Sequence, residues 1–320
     1  MDTAGDRDPV VVGPASAAPH VSPRDIADGI CVHQIGGGLG NQLFEYAAGF
    51  AQSRRLGCPL YIDVSAFCSY AQRSFEIDAL GLPGTLVNLD YPRAAADGSV
   101  GLRHRVAAAM PPLARLRISR APVFRPASRE VDPSIDAITP GTTLSGYFQS
   151  PRYFGEAADE LFEILESAFA RARVDSPALP GDFLTVHIRR GDYLQAQNRG
   201  IHGLAGPGYF RAAMHRVAGL PSTQVLFTDS PELLAPDFDF LADAEIYDPE
   251  LAMGPVTTLA AMAAGHGMIM SNSSFSWWAA WVMSRRDPSC PVVAPRPWHD
   301  AGHAATDLLL PHWLTLDKRL

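Results

Sequence analysis

From residue 30 onward, short apolar runs alternate with polar, glycine-bearing turns and helix-forming stretches, and this rhythm restricts the chain to an α/β fold. Residues 30–35 read as a strand, Gly36-Gly37-Gly38-Leu39-Gly40 as a turn, and 41–56 as a helix that Gly57 ends. A strand over 59–63 follows directly, which makes a βαβ start. A short strand is expected between 141 and 150 and a helix over 152–172, before a proline-rich break at 176–181. Beyond it the alternation is clearer, with strands at 183–189, 224–227 and 266–270 and helices at 208–217, 256–264 and 276–286. Residues 80–138, rich in Pro, Ala and Arg, yield no assignable elements. The expected organisation is a flexible tail over 1–28, an N-terminal α/β domain over 29–177 carrying the glycine turn, and a C-terminal Rossmann-like domain over 178–320. Ligands of open parallel sheets sit beyond the carboxyl ends of the strands, so the polar turns are where chemistry is expected.

Charge narrows the function. A formal net charge of -8 argues against the broad basic footprint of duplex nucleic-acid or anionic-membrane binding. Lys318 is the only lysine, which leaves no internal residue for a Walker A loop, a Schiff base or a Ser-x-x-Lys nucleophile. Arginine, the better fork for phosphate oxygens, supplies every other fixed positive charge. Cys31, Cys58, Cys68 and Cys290 form no Cys-x-x-Cys pair and read as reduced thiols. The first twenty residues lack the basic start and apolar core of a signal peptide, and no later run is long enough to span a membrane. A cytoplasmic protein, at most peripheral to a membrane, is the expectation.

Four segments could carry chemistry. Thr185-Val186-His187-Ile188-Arg189-Arg190-Gly191-Asp192 places, by the two-residue period of a strand, His187 and Arg189 on one face and Val186 and Ile188 on the other. A solvated strand end is the bland reading. A phosphate clamp is the functional one, with Arg189 forking onto a diphosphate and His187 donating to phosphate or ribose. The glycine turn Gly36 to Gly40 precedes Asn41 and Gln42, and its exposed N–H groups suit an anion. Gly36-x-Gly38 with Asp63 partly imitates a dinucleotide fingerprint, although Asn41 stands where its third glycine belongs. A structural βα turn fits equally well. Thr228-Asp229-Ser230-Pro231-Glu232 reads as a helix start capped by Ser230 or as a nucleotide contact through Asp229 or Ser230. In Ser271-Asn272-Ser273-Ser274-Phe275-Ser276-Trp277-Trp278-Ala279-Ala280-Trp281, the tryptophans read as core, and the hydroxyls and amide ahead of them suit capping or phosphate and base binding. Asp237-Phe238-Asp239 and the group His299, Asp300 and His303 are too loosely placed to hold a metal, and none is expected.

Taken together and in this order, these segments resemble the α-1,2-fucosyltransferase family, including its bacterial members. The resemblance is carried by Gly36-Gly37-Gly38-Leu39-Gly40-Asn41-Gln42-Leu43-Phe44, His187-Ile188-Arg189-Arg190-Gly191-Asp192-Tyr193, Phe227-Thr228-Asp229-Ser230 and Asn272-Ser273-Ser274-Phe275-Ser276-Trp277-Trp278. Weaker echoes lie at Arg73-Ser74-Phe75-Glu76-Ile77 and Gly146-Tyr147-Phe148-Gln149-Ser150. It implies the GT-B arrangement, two Rossmann-like domains facing a cleft, and inverting, metal-independent transfer of fucose from GDP-fucose to a galactoside hydroxyl in α-1,2 linkage. The acceptor would be a galactose-containing oligosaccharide or lipid-linked glycan; no cofactor is needed beyond the GDP-fucose donor. It further implies Arg189 as the diphosphate arginine with His187 beside it, Gly38 and Asn41 approaching the diphosphate from the first domain, and Asp229, Ser274 and Phe275 meeting the guanosine. Ser230 departs from the family, where a second aspartate is frequent. Gly37, Arg190, Asn272 and Ser273 complete the candidate substrate-binding set, and Asp192 is a candidate catalytic base that could equally be a turn or salt-bridge residue. Two alternatives stand beside this reading, an NAD(P)-dependent Rossmann oxidoreductase and a non-catalytic GDP- or glycan-binding protein.

Overall fold

The computed structural model describes residues 14–68, 74–89, 122–191, 203–217, 219–234, 237–247, 254–300 and 307–320. The first half comprises α1 (Pro14–Ala17), β1 (His20–Val21), β2 (Ile30–His33), α2 (Leu39–Leu56), β3 (Leu60–Asp63), β4 (Thr85–Leu89), β5 (Val123–Phe124) and β6 (Thr143–Leu144). Its six strands are all parallel and lie in the order β1-β4-β3-β2-β6-β5. A bridging helix, α3 (Ala158–Ala172), leads to β7 (Leu184–Ile188), α4 (Pro207–Arg216), β8 (Gln224–Thr228), β9 (Glu245–Ile246), α5 (Pro255–Met262), β10 (Gly267–Ile269), α6 (Ser274–Arg286), β11 (Val292–Arg296) and β12 (Leu314–Asp317). These six strands are parallel in the order β12-β11-β10-β7-β8-β9. The expected α/β class with two Rossmann-like halves is therefore what the chain adopts. Read in chain order, the second sheet runs 3-2-1-4-5-6, the doubly wound order, and the direction of winding reverses between β7 and β10 while the strands stay parallel.

Residues 14–28, which fall within the expected tail, run beside the first sheet. There β1 pairs with β4, Ile26 is buried, and the buried Asn88 carboxamide donates to the carbonyls of Ala15 and Ala18, each at 2.9 Å. The first sheet would otherwise present β4 as a bare edge, and a short segment covers it. Residues 1–13 lie outside the described residues.

The two halves share one hydrophobic core. Phe44 of α2 packs against Trp277 and Trp278 of α6 with ring centroids 4.7 and 4.9 Å away, and Phe154 stacks on Trp278 at 5.3 Å. Buried indoles need partners for their N–H groups. Trp277 donates to the Leu308 carbonyl at 2.8 Å and Trp278 to the Gly40 carbonyl at 3.0 Å. The tryptophans are core, as their spacing implied, and Trp278 also ties α2 to α6. Backbone contact between those helices requires Gly40, where a Cβ would lie 2.5 Å from both the Phe275 nitrogen and the Ser274 carbonyl carbon. Gly40→Ala is accordingly expected to push the halves apart, lowering stability by roughly 1–3 kcal/mol as overpacking does. Thermal unfolding checks this, and an unchanged Tm would contradict the close approach.

Candidate active site

The carboxyl ends of β7 and β10 lie side by side, since Val186 is in register with Ile269. Ser271, just past β10, accepts a hydrogen bond from the Arg189 N–H and donates to the His187 carbonyl, both at 2.9 Å. Its backbone N–H bonds the same carbonyl at 3.0 Å. This staple fixes the chain as it leaves β7. From the neighbouring strand, Asp229 pairs its Oδ2 with Arg189 Nε at 3.1 Å, while its Oδ1 accepts from the N–H groups of Arg190 and Gly191 at 2.9 and 3.3 Å. The arginine thus stands half-buried at the switch point, oriented by a carboxylate and a hydroxyl. Ser271 opened the fourth candidate segment, but its pairing with Arg189 could not be read there, because only the strand order puts residue 271 beside residue 187.

The strand pleat separates the two arginines. Val186 and Ile188 join the α4-side core, and Arg190, next on that face, lies with its guanidinium 5.0 Å from the Phe238 ring centroid and is 8% exposed. Burial lowers its pKa, with Asp237 and Asp229 opposing the fall. Arg190, expected to bind substrate, therefore packs away from Arg189, following the period-two rule that placed Arg189 itself.

His187 lies on the Arg189 face, 5% exposed, with its ring centroid 6.3 Å from that of Phe275. Among the described residues its Nδ1 has no hydrogen-bond partner. Burial and then the Arg189 charge depress its pKa to about 3, against a smaller opposing pull from Asp229, so the imidazole is neutral.

Opposite stands the glycine turn. Gly36 and Gly37 have φ of 124° and 90°, and Gly38 has open space where a side chain would project. Asn41 Oδ1 accepts from Ser274 Oγ at 2.7 Å and from Gln149 Nε2 at 2.8 Å. One carboxamide thus joins the glycine turn, the end of β6 and the start of α6, and the carboxyl edges of both sheets meet there. Two N–H groups that bracket the glycines of this turn are already taken by carboxylates. Glu76 accepts from the Leu39 N–H at 2.8 Å and Glu45 from the Ile35 N–H at 3.2 Å. A helix start favours an anion, and here a carboxylate from a distant segment supplies it. Gln42 anchors that segment, its Oε1 accepting from the N–H groups of Glu76 and Ile77 at 2.8 and 3.1 Å. Buried Glu45 has its pKa raised well above the carboxylate range by burial.

Asp63, the acid of the dinucleotide reading, is 0% exposed. It accepts from His33 Nδ1 at 2.5 Å and from the N–H groups of Ser65 and Leu89 at 3.1 Å. Burial alone would raise its pKa, but these bonds outweigh it and hold the group ionised. It therefore organises the strand ends and presents no oxygen to a ribose.

The remaining candidates divide. Ser273 caps α6 by accepting from the Phe275 N–H, and buried Asn272 donates to the carbonyls of Gly203 and Trp298 at 3.3 and 3.0 Å. Asn272 therefore holds two loops behind the site. Ser230 is buried and makes no side-chain cap to the 3-10 turn Pro231–Leu233. Asp192 lies outside the described residues. Asp239 pairs with Arg211 at 3.0 Å and Asp300 with Lys318 at 2.9 Å. Among the described residues no three His, Cys, Asp or Glu side chains converge on a point, and no helix is long and apolar enough to cross a membrane. All four cysteines are free.

A histidine whose folded pKa lies below its unfolded value of about 6.5 contributes stability that is complete above that value and is lost on acidification. Here the loss runs from about pH 6.5 towards the folded value near 3. Between pH 7 and pH 5, His187→Asn is expected to lose less stability than the unaltered chain, by roughly 1–2 kcal/mol. Parallel denaturant titrations at the two pH values check this, and equal losses would show that His187 is not held neutral by the fold.

Two curated relatives come from Escherichia coli. An alpha-1,2-colitosyltransferase is 26% identical over 290 residues, covering 85% of this chain and 93% of its own. The O-antigen biosynthesis glycosyltransferase WbnK is 24% identical, with 88% and 99% covered. Among solved structures, the fucosyltransferase NodZ from Bradyrhizobium superposes with a TM-score of 0.40 at 12% identity, covering 79% of this chain and 91% of its own. Residues 141–317, which include β7, the Arg189 turn, Asp229 and the whole Asn272–Trp278 segment, match Glycosyl transferase family 11, and the chain belongs to that family of glycosyltransferases.

Proposed function

We propose that this glycosyltransferase transfers L-fucose from GDP-fucose to a galactoside hydroxyl, with inversion, in α-1,2 linkage and without a metal ion. The observation that carries the reading is the Arg189 clamp: a guanidinium paired with Asp229, on a backbone that the Ser271 staple fixes at the β7/β10 switch point. Doubly wound sheets bind nucleotides in that crevice. As the acceptor oxygen bonds to the anomeric carbon, the bond to the departing diphosphate breaks and its electron pair passes to the phosphate oxygen. A fixed arginine there meets charge that grows in the transition state, which is how such a group accelerates the chemical step. Arginine in this role does the work that a divalent cation does in other nucleotide-sugar enzymes. His187, neutral and buried beside Phe275, donates to the phosphate or ribose, and Ser274 and Phe275 flank the guanosine. Asp192, one residue past the described turn, takes the acceptor proton. The relative named for α-1,2 colitosyl transfer supports the linkage and makes a colitosyl donor the second donor to test.

The assay is GDP release from GDP-fucose, with a colitosyl donor in parallel, against a panel of galactosides including lactose and N-acetyllactosamine, with and without EDTA. Transfer from GDP-fucose that survives chelation is expected, and activity abolished by EDTA would overturn the metal-free mechanism. Arg189→Ala should lower kcat/KM by roughly 10²–10³-fold with the fold retained. Lysine should not restore it, because an ammonium lacks the planar fork. Loss of GDP affinity with no transfer by the unaltered chain would favour a binding protein instead.

A further inference from the structure

Lys318, the only lysine in the chain, follows β12 with its backbone tied on both sides. Its N–H donates to the Arg296 carbonyl at 2.9 Å, and its own carbonyl accepts from the Gly206 N–H at 2.8 Å. The side chain is 0% exposed. Its Nζ pairs with Asp300 Oδ1 at 2.9 Å and donates to the Trp298 carbonyl at 3.4 Å. Burial lowers its pKa, and the bond to Asp300 opposes the fall. An ammonium taken out of water is costly, and a buried ion pair is seldom more stabilising than apolar side chains of the same volume. What distinguishes this one is where it stands. The Trp298 carbonyl that takes the ammonium also takes the Asn272 carboxamide at 3.0 Å, and Asn272 donates as well to the Gly203 carbonyl at 3.3 Å. Gly203, with φ 61°, lies against the other oxygen of Asp300, so close that a Cβ there would run into Oδ2. A compact ammonium suits such a place better than the planar fork of an arginine.

We infer that Lys318 is a positioning residue of the donor site: through Trp298 and Asp300 it holds Asn272 and Gly203, and with them the backbone that carries Arg189. The inference deepens the transferase reading above and rests on it. On one side the hold reaches Ser271, the chain neighbour of Asn272, which bonds both the Arg189 N–H and the His187 carbonyl. On the other it reaches the stretch from Gly203 to Gly206, by which the chain returns from the Arg189 turn to α4. One buried charge therefore braces both limbs of the clamp without touching a ligand. Preorganisation of a catalytic arginine requires supports of this kind, since a small misplacement of the group is felt in the chemical step.

A double-mutant cycle tests the assignment. Lys318→Met/Asp300→Asn removes both charges and orphans neither, and it is introduced into the unaltered chain and into Arg189→Ala, with kcat/KM for GDP-fucose and Tm measured in each. In the unaltered chain kcat/KM should fall roughly 10- to 100-fold while Tm is retained. In Arg189→Ala the same pair should cost about twofold or less, because the group it positions is already gone. An unchanged kcat/KM in the unaltered chain overturns the inference. So does an equal loss in both backgrounds, which would make the pair a support of the fold alone. If the paired variant does not fold, Asp300→Asn by itself, at a side chain 38% exposed, is put through the same cycle and judged by the same two outcomes. Absence of transfer by the unaltered chain would instead overturn the transferase reading and this inference with it, so the two failures are distinguishable.

Discussion

The structure turns on the contact between the first turn of α2 and the first turn of α6. Gly40 lets the two backbones touch, Trp278 closes the contact with a hydrogen bond to the Gly40 carbonyl, and Asn41 adds a second bond to Ser274. Each helix follows the strand on one side of its sheet's switch point, so joining their starts brings the two carboxyl edges together. The cleft is a consequence of that contact. Because Phe44, Phe154 and the tryptophans continue the same core through it, the halves do not rely on polar links alone. Polar pairs at an exposed surface contribute little by comparison.

The site is organised by groups that do not themselves face a ligand. Asp229 and Ser271 orient Arg189, Gln42 and Glu76 set the glycine turn, and Asn272 holds the loops at Gly203 and Trp298. Catalysis by preorganised charge demands this, because an arginine that must reorganise as the diphosphate leaves would lose much of its advantage. Glu76 also shows why a glycine turn before a helix is not in itself a phosphate site: the same dipole that attracts a phosphate attracts a carboxylate of the protein.

Much of this was legible before the fold. The end of α2 followed from Gly57, which takes the left-handed cap with φ 63°, while its start lies at Leu39, two residues before the one expected. Pleat alternation sorted Val186 and Ile188 from His187 and Arg189, and indole spacing identified a buried helix. The same alternation also turned Arg190 inward, a consequence the sequence reading did not draw. The two-residue strands β1, β5 and β9 were missed because so few residues carry no measurable period, and their pairing comes from neighbours far away in the chain.

The sequence by itself determined what is local: which stretches are strands or helices, where glycine must turn the chain, and that arginine would be the only internal fixed cation to meet a phosphate. Tertiary structure alone decided the partnerships. Nothing in the order of residues says that Ser271 meets Arg189, that Asp63 is consumed by His33, or that Asn41 bridges Gln149 and Ser274. Those pairings depend on strand order and on how the two sheets meet, and both are fixed by the shared core, whose long-range contacts no local pattern encodes.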